Sequence, residues 1–310
     1  MTRVNPYSAP AAFATLILAF LPIGAAELKI DHVTVAGAKL ELVRQAFTAA
    51  TGLATEYGGK HANRATEMAL TSFPDGSYVE LMGIQAQADP AAVSAHEWRK
   101  FLENNSGPCA FAIRAGTPAG IAGGRPQRNG RTRPDGTRLE WEITDIGPGI
   151  RGTFFPFLIR DLTPRENRAF LKGAPTTRKA LGVAKVVVGV RDLEAAIALY
   201  RRAFELPAPK RQRDAAFGAD LAWFEGTPVV LAQGLANDSW LAKRVREFGD
   251  GPCAFVLRST GGLIADRMGI VFVYQACAFL PAIGLLTAFL PNLPATSRPE
   301  TPDAIPTSAR

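Results

Sequence analysis

The stretch Leu28-Lys-Ile-Asp-His-Val-Thr-Val35 decides the reading of this chain. It is apolar and β-branched, alternates polar with apolar, and carries one histidine at its middle. That is the pattern of a strand with His32 on one face and Ile30 and Val33 close by. The stretch opens a unit that recurs. A helix follows near residues 39–51, where Leu40, Val43 and Phe47 fall on one face and Gly52 ends the pattern. Further strands are expected over 53–57, 66–72 and 77–84, the last two joined by a tight turn at Asp75-Gly76.

A second copy begins at Ala184-Lys-Val-Val-Val-Gly-Val190. Asp192 is placed to cap a helix whose apolar face is Leu193, Ile197, Tyr200 and Phe204. Strands follow over 220–224 and 228–233, turning at Glu225-Gly226. Each copy leads through a Trp-containing helix, 96–103 or 239–248, into Gly-Pro-Cys-Ala-Phe, at Gly107 and at Gly251. The strand from Cys109 opens a more degenerate unit. It has a weak helix start at Thr117-Pro118, a hairpin at Pro134-Asp-Gly136, and strands over 137–143 and 152–159. A fourth unit starts at Cys253 and breaks off after Arg258-Ser-Thr260. Internal repetition therefore organises most of the chain.

The flanks read differently. Arg3, the apolar run from Ala11 to Leu21 and the small residues Gly24 and Ala26 form an export-signal pattern, with cleavage expected before Glu27. Residues 268–290 carry no charge over a length that spans a hydrocarbon core of roughly 30 Å, and they predict a membrane helix. The Pro-, Thr- and Ser-rich tail over 291–310 predicts disorder. Together these features predict export to the periplasmic side and anchoring in the membrane. The formal charge is +7. Its excess sits in loops at Arg125, Arg128, Arg131 and Arg133 and at Lys210, Arg211 and Arg213, with no aromatic interleaving, which argues against nucleic-acid binding. Cys109, Cys253 and Cys277 form no C-x-x-C pair, so a zinc-finger or thioredoxin-like reading is unsupported.

The βαβββ order, the histidine in the first strand and the glutamate of Tyr78-Val-Glu-Leu81 in the last resemble the vicinal oxygen chelate superfamily, and more narrowly its glyoxalase-like domain proteins. Gly58-Gly-Lys-His61, Arg133-Pro-Asp-Gly136 with Trp141, and Phe154-Phe-Pro-Phe157 add to the resemblance. It implies an α+β fold of paired βαβββ units closing around a divalent metal such as Zn, Fe, Mn or Ni. Carried over residue by residue, it implies His32 and Glu80 as metal ligands. His61 would be a spare ligand or general base beside Glu80. Arg131, Arg133 and Trp141 would meet an anionic or flat substrate. The expected domains are a signal peptide over 1–26, a first glyoxalase-like domain over 27–165 and a truncated second one over 182–260, followed by the transmembrane helix and tail. From Gly261 the sequence resembles the end of a major facilitator transporter of the fosmidomycin-resistance type; one helix makes no transport path.

The departures from the family pattern shape the functional expectation. Cys109 falls where the second unit would place its strand-opening ligand, and Pro156 or Phe157 stands where its carboxylate would be. In the third unit Lys185 replaces His32 and Val230 replaces Glu80. The chain is expected to be a metal-dependent lyase, isomerase or dioxygenase acting on a small molecule with adjacent oxygens. The alternatives are a metal-free small-molecule or drug-binding protein, and a fusion with an efflux-transporter fragment. The open edge of the truncated unit favours a homodimer.

Overall fold

The computed structural model describes residues 28–114, 124–133, 135–259 and 262–263. The signal peptide over 1–26, the helix start at Thr117-Pro118, the membrane helix over 268–290, the tail and Cys277 lie outside the described residues. No helix among the described residues is long and apolar enough to cross a membrane.

The first unit runs β1 (Lys29–Ala36), α1 (Leu40–Thr51), β2 (Glu56–Lys60), β3 (Thr66–Ser72) and β4 (Tyr78–Ile84). Short helices α2 (Pro90–Ser94) and α3 (Arg99–Glu103) lead to β5 (Gly107–Arg114), β6 (Gln127–Thr132), β7 (Arg138–Thr144), β8 (Phe157–Asp161) and α4 (Arg165–Ala169). These strands form one eight-stranded sheet in the order β2-β3-β4-β1-β5-β8-β7-β6. β1 pairs parallel with β4 and antiparallel with β5, so the two halves of the sheet meet along β1 and β5. The parallel pair needs a long crossover, which α1 and the β2–β3 hairpin supply.

The second sheet repeats the scheme. β9 (Gly182–Gly189), α5 (Leu193–Phe204), β10 (Lys210–Asp214), β11 (Ala219–Trp223), β12 (Val229–Gly234), α6 (Trp240–Phe248), β13 (Gly251–Ser259) and β14 (Gly262–Leu263) give the order β10-β11-β12-β9-β13-β14. The likeness extends to register. Thr34 faces Glu80 across β1 and β4, and Val187 faces Val230 across β9 and β12. Both antiparallel pairs carry two irregularities. They leave Asp31 and Cys109 without a register partner in the first sheet, and Ala184 and Cys253 in the second.

Several strands depart from expectation. β2 begins three residues late, because Gly52 ends α1 in the left-handed region at φ 67° and Leu53 then turns into the core. β8 begins at Phe157, since Gly147, Gly149 and Gly152 all take positive φ and hold the preceding segment as a loop. β10, Lys-Arg-Gln-Arg-Asp, shows no apolar alternation because it is a mostly exposed edge strand, where charge guards against further pairing.

The two sheets share a core. Val33, Val35, Val79 and Leu81 of the first join Val186, Val188, Leu231 and Phe255 of the second, together with Phe47 of α1 and Tyr200 of α5. Burying side chains of this size contributes about 1.5–3 kcal/mol each. Arg244 of α6 ties the halves together. Its guanidinium donates to the carbonyls of Ser106 and Pro108 at the start of β5, and of Pro252 at the start of β13 at 2.7 Å. Gly83 marks the tightest helix–sheet approach, since a Cβ there would stand 2.2 Å from the Leu40 backbone nitrogen. Gly83→Ala is expected to destabilise the protein by at least ~2 kcal/mol, because backbone must move to admit the methyl. Thermal denaturation of the variant checks this, and an unchanged Tm would contradict the packing described.

Candidate functional site

The face of the eight-stranded sheet opposite the shared core lines a cavity of about 240 Å³. β1 contributes His32, β4 contributes Tyr78, Glu80 and Met82, and β7 and β8 contribute Trp141 and Phe157. Alternation places these residues together: His32 pairs in register with Tyr78, and Thr34 with Glu80. The chain has three histidines, His32, His61 and His96, and all of them line this cup.

His32 is held by its own neighbour. Its Nδ1 lies 2.7 Å from Asp31 Oδ1, and its ring stacks on Tyr78 at 4.8 Å and 3°. Adjacent strand residues ordinarily face opposite ways. The irregularity at Asp31 releases that constraint and brings the carboxylate beside the imidazole. Asp31 is fully buried and gripped by Arg168, whose two terminal nitrogens donate to its oxygens at 3.1 and 3.0 Å. Arg168 also donates to Asp161 Oδ1 at 2.5 Å and to the Tyr78 hydroxyl at 2.6 Å, and Arg165 adds a further ion pair to Asp31. Burial pushes the Asp31 carboxyl up, but Arg168, Arg165 and His32 outweigh it and hold it well below the ordinary carboxylate value. An ionised Asp31 accepts the Nδ1 proton of His32 and fixes the orientation of the ring.

Glu80 accepts from the Thr34 hydroxyl at 3.0 Å and lies 3.6 Å from His61 Nε2. Burial raises its pKa, yet His61, His32 and Thr34 more than offset this and hold it down to about 2. A carboxylate so acidic is a weak general base near neutrality and a firm hydrogen-bond acceptor. His61 is steadied through Nδ1 by the Thr66 hydroxyl at 2.8 Å.

Arg131 and Trp141 both line the cup. Arg131 donates to the Gly58 carbonyl at 3.1 Å and forms no ion pair with a described residue. Burial lowers its pKa, with Tyr78 and Glu80 acting the other way. Arg133 is placed elsewhere. It donates to the carbonyls of Asn167 and Leu171 and pairs with Asp135 at 3.2 Å, pinning the β6–β7 hairpin to α4.

For a divalent ion this donor set falls short. Protein sites commonly offer three or four ligands. Among the described residues no three His, Cys, Asp or Glu side chains are grouped to hold an ion. The cause lies in the second half of the sheet. The register sets Ala112 opposite His32 and Ala110 opposite Thr34, and β8 brings Phe157 and Ile159 to the cup. Cys109 sits at the irregularity beside Ala110, 1% exposed, and burial pushes its thiol pKa up.

Sequence reasoning missed Asp31, Arg168 and His96. The first is hidden by the irregular register, the second lies 137 positions from its partner, and the third belongs to the turn between α2 and α3. No local pattern marks His96, because positions 32, 61, 80 and 96 come together only in the fold.

Comparison with known proteins finds a match to a family described as a glyoxalase-like domain over residues 30–204. Similar solved structures include a hypothetical protein from Staphylococcus aureus. It is 13% identical, with 67% of this chain and 86% of that chain covered and a TM-score of 0.48. A mutant of 4-hydroxymandelate synthase from Streptomyces coelicolor is 12% identical, with 74% and 70% covered and a TM-score of 0.43. Methylmalonyl-CoA epimerase from Mycobacterium tuberculosis is 22% identical, with 27% and 58% covered and a TM-score of 0.25. A curated relative, the fosmidomycin resistance protein of Escherichia coli K12, is 61% identical over 31 residues. That stretch is 10% of this chain and spans only 8% of the relative's length.

Proposed function

We propose a function on one premise: this chain belongs to the glyoxalase-like domain family. On that footing, the cup of the eight-stranded sheet binds a small, flat organic anion, and it does so without a metal ion. The observation that carries this reading is Arg131, a half-buried cation at the cup with no ion-pair partner among the described residues. A cation removed from water and left unpaired is costly, and a ligand carboxylate would relieve that cost. Trp141, Tyr78 and Phe157 offer flat apolar walls for the rest of the molecule.

Phenylglyoxylate, an aromatic 2-oxo acid, is a suitable probe. It is expected to raise the Tm of the protein, and the rise is expected to survive EDTA. Arg131→Met should weaken binding about 10- to 100-fold, the value of a charge-assisted hydrogen bond. No stabilisation by any aromatic acid would end this reading.

A second reading, a divalent-metal-dependent lyase, isomerase or dioxygenase, draws on the Asp31–His32 bond. A carboxylate that orients a histidine ring is the usual support of a metal ligand. It predicts the opposite result: stoichiometric metal in the purified protein, lost in His32→Ala, and ligand binding abolished by chelation. Export and membrane anchoring through residues 268–290, and a homodimer joined through the second sheet, belong to the same proposal. Resistance of the protein to carbonate extraction from membranes tests the anchor.

A further inference from the structure

We infer that His96 is a fixed hydrogen-bond donor of the cup, presenting a neutral Nε2–H to a second oxygen of the ligand whose acid group meets Arg131. This rests on the binding role proposed above and adds to it a residue and a requirement on the ligand.

Geometry sets the tautomer. The backbone N–H of Trp98 donates to His96 Nδ1 at 3.1 Å. A backbone N–H has no acceptor capacity, so Nδ1 holds a lone pair and the proton of the neutral ring sits on Nε2. A second proton at Nδ1 would set two donors against each other. Trp98 is itself anchored. It is 8% exposed, and its indole Nε1 donates to the Arg151 carbonyl at 3.0 Å. The His96 ring packs against the indole at 5.9 Å, lines the cavity, and finds no Nε2 partner among the described residues. Burial and the nearby His61 both lower its pKa below the ordinary histidine value, with Glu80 acting the other way.

The two histidines are held differently. His32 faces the Asp31 carboxylate through Nδ1, whereas His96, tied through Nδ1 to a donor, offers a proton at Nε2. Glu80 adds a further acceptor. A ligand oxygen needs donors, and the cup supplies Arg131 for a carboxylate and His96 for a neutral oxygen. The ligand class is thus an acid carrying a carbonyl, hydroxyl or ether oxygen as well.

The test compares phenylglyoxylate with phenylacetate, the same anion lacking the keto oxygen, by calorimetric titration of the full chain. Wild type should prefer phenylglyoxylate. His96→Leu should weaken phenylglyoxylate about five- to tenfold, the value of one hydrogen bond, and leave phenylacetate within about twofold. His96→Gln, which keeps a side-chain N–H donor, should restore most of the preference. In parallel, ¹⁵N-histidine NMR at neutral pH should show His96 neutral with its proton on Nε2. Equal weakening of both acids by His96→Leu would mark a merely structural role and overturn the inference. So would a proton on Nδ1, or His96→Leu retaining the wild-type preference. If wild type binds neither acid, the binding role itself fails and this inference falls with it. If wild type binds and the substitution changes nothing, the inference alone falls.

Discussion

Arg168→Met is expected to remove about 3–5 kcal/mol of unfolding free energy, because it strips a buried charge from its partners. Asp31 is fully buried, and Arg168 is 4% exposed, bonded at once to Asp31, Asp161 and the Tyr78 hydroxyl. Methionine fills much of the volume and leaves Asp31 with Arg165 and His32 alone. Asp31→Asn should cost a comparable amount by leaving the guanidinium short of charge. The double variant should cost less than the two single losses added together, since the residues form one network. Urea denaturation at neutral pH measures all three. Strict additivity would show that the two side chains do not act as a unit. The pH dependence has a definite sign. The folded-state pKa of Asp31 is depressed, so its contribution is present above the ordinary value of 3.8 and is lost only as pH falls below it. Near neutrality the contribution of the Asp31 carboxylate itself is therefore insensitive to pH.

What the sequence discloses here, and what it hides, follows from the range of the interactions. The repeat is legible because it is written in local pattern. Leu193, Ile197, Tyr200 and Phe204 recur at helical spacing, and all four are buried in α5. Glu80 and His32 are legible as cup residues because regular alternation along β1 and β4 carries them to one face. Asp31 is not, because strict alternation would turn it away from His32, and only a register irregularity brings the two together. Arg168 lies on a five-residue helix, Arg-Glu-Asn-Arg-Ala, that shows no apolar periodicity, and its burial depends on a partner from the first strand. Arg133 reads as a substrate-binding candidate through the resemblance carried by Arg133-Pro-Asp-Gly136. The fold instead spends its hydrogen bonds on the carbonyls of α4 and the turn beyond it. The edge strands β6 and β10 escape pattern reading for a further reason. Neither has a buried face that requires alternation.

Glu80 sets the acid limb of stability. Its folded-state pKa lies at about 2, against an ordinary value of 4.5. A depressed carboxylate stabilises the fold above its unfolded pKa and loses that contribution as pH falls through the folded one. Between pH 4.5 and about 2 the wild-type protein should therefore lose roughly 3 kcal/mol on account of this group, at 1.36 kcal/mol per pH unit of displacement. Glu80→Gln has no proton to take up. Its unfolding free energy should start lower at neutral pH and fall less steeply across that interval. His61→Ala should narrow the interval, because His61 is the strongest of the groups that lower the Glu80 pKa. Urea midpoints followed from pH 7 to pH 2.5 read both effects. Parallel curves for wild type and Glu80→Gln would mean that Glu80 keeps an ordinary pKa in the fold. Glu80 would still be ionised near neutrality, but the hold that His61, His32 and Thr34 exert on its carboxyl in the fold would be absent.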